Sequence, residues 1–463
     1  GTPVLASLDQ LLMPPPMKSN AKLADVWVDL EPLRRMLSGA LRSHPEGPLE
    51  RQRLLDAGLT VEKVKAARGL EWKAKEEIRV KSGTTEKGLR KMFSEAKHNK
   101  DVHKMVMAWR TIEEQISGNI ELNGRAEIEH VEDKKGGQEY KALRLFDLER
   151  IAKDWQGTPT IYIDAVMPPE LLKARVPHAE IVAEIEAKEN VHVTQIVGNT
   201  FGKKALTRNN DALDKAWFAV LGEARLQGGE WLIVTHKGAE EQITLRHKIP
   251  PFIHLAHFGA VAGRDEWRNV DGVIILGRLA LSVDVAERIA SIISGRAVKS
   301  VNPRPRTSPK PRWYPSRMET IHSRNGMAVT IEADRHPDPL ADAIREQACV
   351  GQIIQGIGRG RAINRHEAGP LKVILMNNVP TITPDVINEW QIPTKEERAF
   401  AETGIWLESA ADMALVSGLK KNAVEDARRA YRRTSEFPYI ESLYRNSYVL
   451  SEATYQRKGA GFQ

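Results

Sequence analysis

The chain has 463 residues, 41% of them apolar, and 68 Lys and Arg against 61 Asp and Glu give a formal charge of +7. This length and apolar share suffice for about two or three cores, and the basic excess points to a polyanionic partner met through phosphate contacts. A lone cysteine, Cys349, excludes an intramolecular disulfide framework and a cysteine-rich zinc site. With no long apolar run and no signal-like opening, the expectation is a soluble, cytoplasmic protein of a reducing compartment. The chain opens on Gly1 rather than Met, as a processed or truncated product does.

Residues 1–47 hold the proline run Met13–Pro16 and a short amphipathic stretch from Val28 to Leu41, and no function is assigned to them. Residues 48–157 read as basic helices followed by a hairpin. LERQRLLDAG closes at Gly58, and TVEKVKAARGLEWKAKEEIRV starts from a Thr60 cap. TEKGLRKMFSEAKHNKDVHKMVMAWRTIEEQI then carries a basic face, either solvated or on nucleic acid. From 119 to 146, apolar and polar residues alternate on either side of Asp133–Gly137, which predicts a β-hairpin.

At Thr158 the register changes to α/β. TPTIYIDAV predicts a short buried strand ending in Asp164-Ala165-Val166, and PPELLKARV a helix. VHVTQIVGN, WLIVTH, PFIHLAHFG, DGVIILGR and LKVILMNNV predict further strands, with a helix from Asn210 to Gln227. Apolar strands alternating with amphipathic helices predict, over 158–390, a parallel, doubly wound sheet covered on both faces. Inside it, residues 297–317 are proline-rich and basic, too poor in apolar residues for a core, and read as an exposed loop. There Arg304, Arg306, Arg312 and Trp313 suit a single strand, with phosphates on arginine and bases on the ring; an ordinary connecting loop is the alternative. Residues 391–463 read as helical. Ala414, Gly418 and Val424 have helix-turn-helix spacing, followed by a basic face of Lys420, Lys421, Arg428, Arg429, Arg432 and Arg433. Plain helical packing explains the same pattern, and the tail 439–463 is unassigned.

The most specific stretch is Ala348 to Arg365, ACVGQIIQGIGRGRAINR. Val350, Ile353, Ile354 and Ile357 recur at helical spacing and deliver Gln355, Gly358, Arg359, Arg361 and Arg365 to one end. At average residue usage, Q-x-x-G-R-x-R arises by chance in under about 1% of chains this long. A planar, permanently charged guanidinium stabilises the charge that spreads over a γ-phosphate during transfer. Gly358 is expected to let the backbone approach closely beside it.

Here the sequence resembles motif VI of helicase superfamilies 1 and 2, the arginine-finger helix of the second RecA-like domain. Its second arginine follows the first by two residues, as in superfamily 1, so the finger is Arg359 or Arg361. TPTIYIDAV sits where motif III would lie, with Asp-Ala-Val for the usual Ser-Ala-Thr. WLIVTHK, through Thr235, His236 and Lys237, resembles motif IV. HFGAVAGRDEWRNVDGVIILGR resembles motif V, with Gly263-Arg264-Asp265 as its G-x-D. The likeness covers roughly 158–380 and is nearest to helicase-like proteins of bacterial prophages and plasmids, often joined to primase modules. It implies the second motor half of an ATP-dependent DNA helicase or translocase acting in replication. On that resemblance Gln355 positions water or the γ-phosphate, and Asp265 couples nucleotide to nucleic acid. Gly263 and Gly358 lie beside the nucleotide, while Thr235, Lys237 and Arg264 lie near the strand track. ATP and Mg2+ would be bound mainly by a phosphate-loop domain.

That domain's signature is not found. A helicase needs a glycine-rich loop ending in Gly-Lys-Ser/Thr and an acidic pair for magnesium. Gly198-Asn-Thr-Phe-Gly-Lys-Lys204 is one residue short, ends in Lys204 where a hydroxyl should hold the metal, and reads as a turn near the nucleic-acid backbone. Two expectations follow: a motor half completed by an upstream segment or a partner, or a non-hydrolysing nucleic-acid-binding or replication scaffold. His254 and His257 lack a third metal ligand nearby, and Asp334, His336 and Asp338 read as a turn and helix cap.

Overall fold

The computed structural model describes residues 4–8, 12, 21–75, 84–95, 99–132, 139–148, 151–164, 166–185, 190–303, 311–365, 369–407, 409–418 and 420–426. The chain divides into two compact units, one of Gly1–Ile181, Ser282–Tyr314 and His336–Arg345, the other of Val182–Leu281, Pro315–Arg335 and Glu346–Gln463.

In the first unit, β1 (Val4–Ser7), β2 (Gly47–Glu50), β3 (Leu122–Glu132) and β4 (Glu139–Leu145) form an antiparallel sheet in the order β1-β4-β3-β2. Its helices are α1 (Ala21–Arg42), α2 (Arg51–Asp56), α3 (Val61–Lys73), α4 (Glu86–Glu95), α5 (Asn99–Ser117) and α6 (Pro169–Arg175). The chain turns through Gly58 at φ +80, and the Thr60 hydroxyl accepts from the Lys63 N–H, satisfying one of the free donors that open α3. β3 and β4 pair as their alternation predicts; the turn Asp133–Gly137 lies outside the described residues, as does Met13–Pro16. The lysine-rich stretch holds α4 and α5, residues 96–98 between them lying outside the described residues, and α5 is a core element. Met105, Trp109, Ile112 and Ile116 recur on one face of it and are buried with Leu37, Leu41, Val64, Ile128 and Leu143. Lys104 and Arg110 of α5 are paired with Asp101 and Asp147.

Residues 159–164 correct the sequence reading. They are irregular rather than a buried strand, with Ile161 and Ile163 87% and 94% exposed. Strands hold through ladder neighbours and two covered faces, and no strand among the described residues lies beside this one.

The second unit is a mixed α/β body around a six-stranded, all-parallel sheet. After β5 (Val191–Val197) come α7 (Lys203–Arg208), α8 (Asn210–Gln227), β6 (Trp231–Thr235), α9 (Lys237–Arg246), β7 (Ile253–His257) and β8 (Gly272–Leu276). The chain gives α10 (Val283–Ser294) to the first unit, then forms the hairpin β9 (Ser316–His322) and β10 (Ala328–Asp334) and the helix α11 (Pro339–Ile357), whose residues up to Arg345 count with the first unit. β11 (Leu371–Met376), β12 (Val386–Glu389), α12 (Lys395–Thr403) and α13 (Ala410–Ser417) follow. The sheet order is β12-β5-β11-β8-β6-β7.

Alternate residues of the central strands enter two cores, which is why these strands read as continuous apolar runs. Leu232, Val234, Val273, Ile275, Val373 and Leu375 pack with Cys349, Ile353 and Ile357 of α11. Trp231, Ile233, Ile274, Leu276, Ile374 and Met376 pack with Leu213, Trp217 and Val220 of α8. Ile321 and Ile331 of the hairpin lie on Val197 and Ile387. Asp338 caps α11, its carboxylate accepting from the N–H groups of Leu340 and Ala341. Farther on, Ala414 and Val424 share a small core with Met413, and Gly418 turns at φ +69 between them. Arg428, Arg429, Arg432 and Arg433 lie outside the described residues. Among the described residues no helix is long and apolar enough to cross a membrane.

Candidate functional site

The apolar face of α11 anchors its last turns against the sheet, and the chain then leaves the helix through two tight turns, Gly358–Gly360 and Ala362–Asn364. Arg361 stands between them at φ +49, a left-handed conformation that L-residues seldom adopt. This turn meets the loop between β7 and β8. Arg361 donates from Nε and Nη2 to Asp265 Oδ1 at 2.9 and 2.7 Å. Arg359 donates from Nη1 to the Arg264 carbonyl at 2.8 Å and from Nε to the Gln355 carbonyl at 3.2 Å. Arg365 bonds the Gly360 and Val270 carbonyls. The hydrogen bonds from Arg361, helped by the charges of Arg268 and Arg359, hold the Asp265 carboxyl below the usual aspartate range. The aspartate is therefore ionised at neutral pH.

Five of the residues picked from the sequence come together here: Gly263 at φ +72, Asp265, Gln355, Arg359 and Arg361. Arg264, between the first two, turns its side chain onto the face of Trp267, 4.7 Å from the ring centre, and pairs with Glu266. Sequence reasoning overlooked Gln352. Its side-chain oxygen accepts from the Gly259 N–H, and its amide donates to Gln355 Oε1 at 3.2 Å, tying the helix to the end of β7. Its only signal was the three-residue spacing from Gln355.

Within the protein itself, Gly358 makes no close approach. A Cβ there would meet nothing within 4 Å, whereas one on Gly360 would lie 2.6 Å from Leu371 Cδ2 and one on Gly356 2.8 Å from Ile275 Cδ1. Gly360→Ala is expected to destabilise the second unit by about 1–3 kcal/mol through overpacking. Gly358→Ala should stay within about 0.5 kcal/mol of wild type. Urea unfolding of the two variants checks this, and equal midpoints would refute it.

The remaining candidates lie elsewhere. The arginine turn sits at the amino ends of the strands: Asn190, just before β5, donates to the Ala362 carbonyl, and Val270 precedes β8. Thr235 ends β6, and His236 and Lys237 follow it, at the opposite, carboxyl edge. Thr235 is fully buried and donates to the Leu276 carbonyl, so its side chain locks two strands together rather than facing a ligand. Lys237 is exposed, 4.0 Å from Glu241. Between them, burial and the charge of Lys203 push the His236 imidazole down to about 4, against a weaker pull from the Phe201 main chain.

In the Gly198–Lys204 turn, Gly198 N–H is given to Asn378 Oδ1 and Phe201 N–H to Asn199 Oδ1. Those donors are therefore not free to cradle a phosphate. In the first unit, Arg312 is bound to Asp284 and Glu287, both at 2.6 Å. Burial disfavours its charge, but these two carboxylates outweigh that and raise its pKa. That pairing leaves Arg312 neutralised where a phosphate contact was expected. Trp313 of the same unit is 68% exposed. Arg304 and Arg306 lie outside the described residues. His254 and His257 each have a carboxylate neighbour, Glu230 and Glu240.

No protein-family model and no curated protein matches the chain.

Proposed function

We propose that the second unit is the second, RecA-like motor half of an ATP-dependent DNA helicase or translocase, of the kind carried by prophages and plasmids. The observation that carries this is the joining of the G-x-D loop to the Q-x-x-G-R-x-R turn, across 96 residues of sequence, at one end of a parallel sheet. Two guanidinium groups and an ionised aspartate, brought together where the arginine turn meets the G-x-D loop, are what a phosphoryl-transfer site needs from its second domain. The carboxyl edge, with Lys203, Lys204 and Lys237 exposed, suits a nucleic-acid backbone. ATP would meet Arg359, Arg361 and Gln355 on its γ-phosphate, while Mg2+ and the remaining phosphates would be held by a phosphate-loop domain. The exposed, strand-like TPTIYIDAV fits a strand that pairs within that other domain.

One observation favours a second reading, a nucleic-acid-binding scaffold without hydrolysis: in the Gly198–Lys204 turn the Gly198 and Phe201 N–H groups are already given to Asn378 and Asn199. ATP turnover by this chain, with and without single-stranded DNA, tests the proposal when combined with a salt titration of DNA binding. Salt-dependent binding without turnover, followed by turnover once a phosphate-loop domain is joined, is the expected result. Binding without turnover in the joined protein would favour the scaffold. Absence of DNA binding at low salt would overturn both readings.

A further inference from the structure

Just past β5 and β12, on the carboxyl edge of the parallel sheet, a cavity of about 220 Å³ opens between the Gly198–Lys204 turn, the start of α8 and Trp390. In open parallel α/β sheets, ligand crevices commonly lie outside the carboxyl ends of the strands. The cavity's wall is aromatic. Trp390 and Phe201 meet edge to face, with ring centres 4.8 Å apart at 85°. Both are held firmly: the Trp390 N–H bonds the Val197 carbonyl at 2.7 Å, and the Phe201 carbonyl lies 2.5 Å from where a Cβ on Gly277 would stand. Phe201 itself is kept at φ +44, a strained conformation for a bulky residue and one that persists where the surroundings overdetermine it.

The rim supplies hydrogen-bond donors. Asn199 and Asn209 use their side-chain oxygens on the N–H groups of Phe201 and Ala212. Among the described residues, neither amide nitrogen has a hydrogen-bond partner. The rim carboxylate, Asp211, is paired with Lys215. Exposed Lys203 and Lys204 stand beside the opening. A purely apolar occupant would leave the amide donors unpaired. A flat heterocycle bearing carbonyl or ring-nitrogen acceptors would stack on the indole, meet the amides at its edge and leave an attached phosphate near the lysines.

We propose that this pocket receives an unstacked nucleobase. The proposal rests on the nucleic-acid reading above and adds that the strand is gripped through a base as well as through phosphates. The source of the base is a single strand, with a free nucleotide as the other source the same chemistry allows.

The test compares a single-stranded oligothymidylate with an abasic strand of equal length, by fluorescence anisotropy at several salt concentrations. The protein is used as the full chain. The intact strand should bind about tenfold more tightly. Trp390→Ala should remove the preference, and because that side chain also packs, Ala205→Phe provides a second variant. Ala205 is an exposed residue lining the cavity, so a phenylalanine there fills the pocket at little cost to folding. Both variants should keep the wild-type salt dependence. Thymidine monophosphate is the third probe. Saturable binding that Ala205→Phe abolishes, with no discrimination between the strands, assigns the pocket to a free nucleotide. Equal binding of both strands with no binding of the mononucleotide overturns the pocket alone. No binding of any probe overturns the nucleic-acid reading and the pocket together.

Discussion

Arg359→Ala, made in a chain joined to a phosphate-loop domain, is expected to lower ATP turnover by about a thousandfold or more, with DNA affinity changed by less than about threefold. Both candidate arginines are held by the same loop, but with different partners. Arg359 bonds two main-chain carbonyls, of Gln355 and Arg264, so its position is set while its charge is not neutralised. Arg361 shares its charge with Asp265, which takes both of its bonds on one oxygen. On the proposed function, this difference makes Arg359 the better candidate for the finger and Arg361 the residue that orients the turn. Arg361→Ala should cost less, and Asp265→Asn should resemble it. Arg359→Lys should recover little, because an ammonium cannot replace a forked guanidinium held at two points. Steady-state hydrolysis with saturating single-stranded DNA measures all four. Wild-type turnover in both alanine variants would remove the finger assignment, and a larger loss at Arg361 would reverse the ranking.

The same pair shows what a linear reading can reach. The arginine helix and the G-x-D loop were each legible as patterns, but their contact spans 96 residues and was anticipated only through resemblance. Strands were legible wherever both faces are buried: β6 and β8 are unbroken apolar runs with every residue buried. β12, with the sequence Val-Ile-Asn-Glu, is short, half polar and at the sheet edge, so it carried no comparable signal. TPTIYIDAV carries that signal, and its residues 159–164 are still irregular, because a strand also needs neighbours. The hairpin β9–β10 alternates correctly at Val329, Ile331 and Ala333 but was overshadowed by the proline-rich basic run before it. The pairing of Arg312 was not legible for another reason: its charge is visible in sequence, but the helix face presenting Asp284 and Glu287 to it is not. For the same reason, three glycines spaced by two could not be ranked by what each one faces.

In the first unit, Glu71→Gln is expected to cost about 3–5 kcal/mol, a large fraction of the stability of an ordinary domain. Glu71 is fully buried at the interface of α1, α3 and α5. It accepts from Arg34 Nε and Nη2 at 2.8 and 2.7 Å and from Trp109 Nε1 at 3.2 Å. The neutral amide keeps the volume but takes the carboxylate counter-ion from the buried Arg34 charge, so a large part of its desolvation cost is no longer offset. Because two charges must be dehydrated to form the pair, the pair itself need not stabilise the core. Arg34→Met combined with Glu71→Leu should recover most of the loss, the remaining cost being the unpaired Trp109 N–H. Urea unfolding, with hydrogen exchange localised to α1, α3 and α5, separates this from effects in the second unit. A single variant as stable as wild type would show that the pair is not buried in solution. A double variant as weak as the sum of the single losses would show that packing, rather than uncompensated charge, sets the cost.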